Sequence, residues 1–167
     1  WGEAPEFDRV RLRILPSTAE RVLLLTRRQI ALDSSLGAEE INALRNTPGV
    51  RIISEPSARK VHLNVRLDQA PWDDLRVRRA LAHAIPKQSI VEAAYFNAAQ
   101  PIDSMFAPNA PGYDDSVRYE YSLDRARALL AEAGRADGFP TTIFFDAGIA
   151  EFQTLAVLLQ TELAKLK

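Results

Sequence analysis

The stretch Asp73–Ile85, "DDLRVRRALAHAI", places three arginines within four residues, behind two aspartates and ahead of a run of alanine and leucine. It is either a basic patch or the opening of an amphipathic helix. At 100° per residue, Val77, Ala80, Leu81, Ala84 and Ile85 cluster at about 220° from Leu75. That is a single apolar face. Arg76, Arg79 and His83 fall on the opposite, exposed side, and Arg78 stands at the edge of the apolar stripe. The arginines therefore do not make one patch. Asp73 and Asp74 sit where a helix N-terminus favours negative charge, and Asp74 is four residues from Arg78, within reach across one turn. The stretch reads as a scaffold helix that begins at Asp73–Asp74 and packs through Val77, Leu81 and Ile85.

Working outward, Pro86 interrupts this helix, so a break is predicted before a second helix, "KQSIVEAAYF". Upstream, "QAPW" (Gln69–Trp72) reads as an extended connector. "VRIISE" and "KVHLNVR" read as strands joined by "PSAR", a linker suited to a hairpin. "RVRLRIL" (Arg9–Leu15) alternates polar and apolar residues, the strand pattern, and Pro16 ends it. In "STAERVLLLTRRQ", Ser17 and Glu20 have capping-box spacing. Ala19, Val22, Leu23, Thr26 and Ile30 then give the helix one face to bury. "AEEINALRN" is a short helix with acids at its start, and "TPG" (Thr47–Gly49) is a turn. Downstream, the passage "QPIDSMFAPNAPGYDD" is a proline-rich loop. "YSLDRARALLAEAG" is a helix capped by Ser122 that buries Leu123, Ala126, Leu129, Leu130 and Ala133 and ends at Gly134. "TTIFFDA" is a buried strand by its β-branched and aromatic content. A helix follows from Ala150, with Phe152, Leu155, Ala156, Leu159, Leu163 and Leu166 on one face. Strands alternating with helices predict α/β layers, a mixed sheet flanked by helices.

The 167 residues suffice for one domain with a core, and 47% apolar with 26% charged residues fits a globular chain. A net charge of −1 argues against a nucleic-acid binder carried by bulk electrostatics. The absence of cysteine removes disulfides, thiolate metal sites and cysteine nucleophiles. His62 and His83 are isolated, with no second ligand at metal spacing, so no metal and no cofactor is expected. The pairs Asp73–Asp74 and Asp114–Asp115 are adjacent residues that point apart, not acid/base couples. No nucleophile elbow, phosphate-binding loop or dinucleotide fingerprint occurs, and an enzyme would have only generic carboxylates to work with. No apolar run reaches the ~20 residues of a membrane span, and no signal peptide is visible. Both ends read as cut, the first as the interior of a longer protein and the last as late in a helix.

The most site-like element is the loop "FDAGIAEF" (Phe145–Phe152), which leaves the end of a strand and enters a helix, where ligands bind in open α/β sheets. Asp146 and Glu151 give it negative character, Gly148 gives backbone access, and Phe145 borders it. These four, Phe145, Asp146, Gly148 and Glu151, are the candidate ligand-binding residues.

In order along the chain, "WGEAPEFDRVRLRIL", "KVHLNVRLDQAPWDDLRVRRALAHAI", "MFAPNAPGYDD" with "YSLDRARALLAEAG", and "GFPTTIFF…LLQTELAKLK" resemble the extracellular solute-binding proteins of peptide- and nickel-type ABC importers, bacterial family 5. The likeness to the dipeptide-binding branch is strongest around "FAPNAPGYDD". Three departures are Pro86, where the family usually has aspartate, the loop "DAGIAE", which lacks the basic residue that dipeptide binders tend to carry there, and "TRRQIALD", where many members have a glycine. The resemblance implies part of the second lobe of a two-lobed, type II-like periplasmic binding protein, a single incomplete domain over 1–167. The first lobe and the C-terminal part, with its aspartate and aromatics for a peptide's amino end, would be absent. It implies an extracytoplasmic receptor that closes over an oligopeptide or similar small solute and delivers it to ABC permease membrane subunits. The alternative is a stand-alone interaction or structural domain. A dimer through surface exposed by truncation is a further expectation.

Overall fold

The computed structural model describes residues 2, 6–55 and 57–167. Trp1 and Glu3–Pro5 of the "WGEAP" opening and Pro56 of the expected hairpin linker lie outside them. Six helices follow one another among the described residues: α1 (Thr18–Thr26), α2 (Ala38–Leu44), α3 (Leu75–Ala84), α4 (Lys87–Tyr95), α5 (Leu123–Glu132) and α6 (Ala150–Ala164).

Three of the helices, α1, α3 and α5, begin at a side-chain cap. Ser17 accepts a hydrogen bond from the Glu20 amide at 3.3 Å, Asp74 from the Arg76 amide at 2.8 Å and Ser122 from the Arg125 amide at 3.1 Å. These bonds satisfy first-turn amides that have no partner inside the helix. Pro86 separates α3 from α4 as expected and leaves α4 with no side-chain cap. Gly134, at φ +71°, closes α5 in the left-handed region that glycine adopts without steric cost.

The core forms where α3 crosses α5. Val77, Ala80 and Ala84 of α3 meet Ala126, Leu129 and Leu130 of α5, with Leu166 closing one end. Ala84 and Ala126 have no solvent exposure. Small side chains at a crossing let two helix backbones approach closely, and the larger neighbours fill the flanks. Trp72 and Phe139 complete that edge, ring on edge at 5.3 Å. On the other side α4 lies against α6 and α2, burying Ile90, Val91 and Ala94.

The expected mixed sheet is absent. Among the described residues no strand forms, and Arg9–Leu15, Val50–Glu55, Lys60–Arg66 and Thr141–Phe145 join no ladder. The physical reason is that alternation expresses only a local preference. A strand exists when a neighbouring backbone takes up its N–H and C=O groups. Several apolar side chains of these segments face outward: Leu12 is 91%, Ile14 95% and Phe144 89% exposed. α1 also departs from expectation. None of its residues is buried, and Ala19, Val22, Leu23 and Thr26 line an open groove of about 590 Å³ together with Thr18 and Glu40. "QAPW" is a tight turn, not an extended connector, with the Trp72 amide donating to the Gln69 carbonyl at 2.8 Å.

Two polar clamps fix the irregular parts. Arg21 reaches from α1 to the Leu15 carbonyl at 2.8 Å and pairs through Nε with Asp33 Oδ2 at 3.1 Å. Lys87, opening α4, pairs with Asp103 at 2.5 Å and donates to the Tyr119 carbonyl at 2.9 Å, which holds both flanks of the proline-rich loop. Within that loop Ser104 Oγ accepts from the Phe106 and Asp114 amides, and Lys60 Nζ donates to the Met105 carbonyl.

Candidate functional site

The arginines of "DDLRVRRALAHAI" were the first candidates for a gripping patch, and the structure employs two of them internally. Arg76 forks onto Asp74, with Nη2 to Oδ2 at 2.6 Å and Nε to Oδ1 at 3.1 Å, and its Nη1 donates to the Glu132 carbonyl at 2.6 Å. These charge-assisted bonds, followed by the one from the Arg76 amide, hold the Asp74 carboxyl down at about 2. Arg78 does not pair with Asp74 across the turn. It reaches back to the carbonyls of Trp72 (2.8 Å) and Asp73 (2.9 Å) and stays half-buried, as its position on the stripe edge predicts. Arg79 is exposed, and so is Arg76 despite its bonds. His83, expected on an open face, is half-buried: its Nδ1 lies 2.8 Å from the Glu120 carbonyl and its ring meets Tyr119 edge-on at 5.4 Å.

The loop from Phe145 to Phe152 is built by Asp146. Its Oδ1 accepts from the Gly148 amide at 2.8 Å, and its carbonyl accepts from Ile149 at 3.2 Å, so the chain turns directly into α6. This is an Asx-type turn, in which a short carboxylate stands in for a backbone acceptor. A Cβ on Gly148 would stand 3.1 Å from that same Oδ1, so a larger residue would press on the turn's own acceptor.

The structure does not gather the four candidates. Phe145, Asp146 and Gly148 are exposed, with Phe145 at 44%, and Phe144 beside them is open. Glu151 turns away, toward the start of α2. A Cβ placed on Gly37 would meet Glu151 Oε1 at 3.3 Å and Glu40 Oε2 at 2.8 Å. Gly37 thus leaves room for two carboxylates to face each other across the α2–α6 junction. Tyr95 of α4 belongs to the same junction. Burial, then the Glu151 charge, push its hydroxyl above the ordinary phenol value, with Arg59 opposing. Tyr95 Oη is buried and has no hydrogen-bond partner among the described residues. Sequence periodicity had no means of finding this cluster, because its members meet only when α2, α4 and α6 dock.

A buried donor without a partner costs stability. Tyr95→Phe should therefore leave the melting temperature unchanged or raise it by a few degrees, as measured by circular dichroism. A clear fall would mean that the hydroxyl has a partner.

Among the described residues no group of three or more His, Cys, Asp or Glu side chains is placed to hold a metal ion. Among the described residues no helix is long and apolar enough to cross a membrane. Besides the groove along α1, a gap of about 60 Å³ lies in the core between Trp72, Leu81, Leu130, Phe139 and Leu163.

Comparison with known proteins agrees with the order of motifs. The chain is 32% identical over 168 residues to di/tripeptide-binding protein 2 of Pseudomonas aeruginosa, covering 98% of this chain and 32% of that protein. It is 29% identical over 140 residues to the dipeptide-binding protein of Escherichia coli, covering 83% and 26%. The chain thus spans about a third or less of the curated relatives it matches. Among solved structures, the periplasmic binding protein DppA of Helicobacter pylori in complex with the peptide STSA superposes with a TM-score of 0.73 at 28% identity, over 92% of this chain and 30% of that one. NikA of Brucella suis in complex with Fe(III)-EDTA shares the fold, with a TM-score of 0.80 at 21% identity, over 99% of this chain and 37% of that one. The family model described as bacterial extracellular solute-binding proteins, family 5, middle, matches residues 1–167, and the chain belongs to that family.

Proposed function

We propose that this chain is part of the second lobe of an ABC-importer receptor for peptides or related small solutes. The receptor acts by binding, without catalysis. Ligand contacts to both lobes shift an equilibrium from open to closed, and the closed form is delivered to permease subunits outside the cytoplasm. The observation that carries this reading is the family match over 1–167, together with two relatives named for dipeptides or tripeptides. The loop Phe145–Phe152 supplies part of the ligand contact in this reading. It follows an extended segment and enters α6, and its Phe145, Asp146 and Gly148 are open to solvent.

The test is calorimetry and small-angle scattering on the full-length protein with a dipeptide and tripeptide panel. The expected result is binding with a Kd on the order of micromolar, accompanied by a fall in the radius of gyration. Absence of both would overturn the reading.

A second reading, a stand-alone interaction domain, is favoured by the exposed Leu12, Ile14 and Phe144. Apolar surface of that kind marks contact with another chain. In that reading sedimentation of residues 1–167 gives a dimer, and a clean monomer counts against it.

A further inference from the structure

We draw no further inference here: the strongest candidate, the open apolar groove along α1 lined by Ala19, Val22, Leu23 and Thr26, is an unpartnered helix face, and nothing in the structure shows what covers it.

Discussion

Replacing Asp33 with alanine is expected to lower the unfolding free energy by about 3 kcal/mol, the usual scale for removing one member of a buried ion pair. The Asp33 side chain is 4% exposed and that of Arg21 16%. Arg21 is committed elsewhere as well, to the Leu15 and Pro16 carbonyls and to Thr18 Oγ1. Deleting the carboxylate leaves that guanidinium half-buried without its counter-charge, held only by neutral acceptors. It also removes the acceptor that the Ser35 amide and hydroxyl share at 2.7 and 2.9 Å. Urea denaturation of Asp33→Ala measures the loss, and a change below about 1 kcal/mol would show the pair to be ornamental.

The same carboxylate gives a pH dependence with a definite sign. Burial pushes the Asp33 carboxyl up, but the Ser35 amide, the Ser35 hydroxyl and Arg21 outweigh it, so its pKa lies below the ordinary value of 3.8. A carboxylate whose folded-state pKa is depressed binds fewer protons folded than unfolded. Its contribution is therefore complete above the unfolded value and is lost as pH falls through the folded one. The wild type should lose stability relative to Asp33→Ala as acid is added below about pH 4, and the difference between them should be flat above about pH 5.

Leu130→Ala is the second large effect, with an expected loss of about 3 kcal/mol and a plausible span of 2–5. Leu130 is 5% exposed, packs among α3, α5 and Leu166, and already borders the gap near Trp72 and Phe139. Truncation would merge the new void with that gap instead of letting neighbours close over it. Large cavities are the costly ones. Leu23→Ala on α1 is the matched control. The same chemistry at a side chain 46% exposed should change stability by less than about 0.5 kcal/mol. Equal losses at the two positions would contradict the placement of the core at the α3–α5 crossing.

The helices were legible because a helix satisfies most of its own backbone. Ser17, Asp74 and Ser122 announce starts, Pro86 and Gly134 announce stops, and the apolar face of α3 follows from arithmetic on Val77, Ala80 and Ala84. The sheet was not determined locally. "RVRLRIL" carries the alternation of a strand and "TTIFF" its β-branched and aromatic content, yet their pairing depends on a neighbour the segments themselves do not contain. α1 failed for a related reason: its apolar positions are correctly spaced, but none of its residues is buried. The site was half legible. Asp146 two residues before Gly148 is a short-range turn signal. The turning of Glu151 toward Gly37 depends on how α2 docks, and the Arg21–Asp33 pair closes across an irregular segment that no periodicity describes.

The alanines at the α3–α5 crossing have a mechanical consequence. With Ala80, Ala84 and Ala126 almost fully enclosed, the two helices meet through short side chains at the crossing, and Val77, Leu129 and Leu130 pack in the same core. Such a seam resists sliding, because any shift drives closely packed groups against one another. α3 and α5 therefore move as one stiff plate. Whatever bending the protein undergoes is left to the segments around that plate, where the contacts are few and the side chains long.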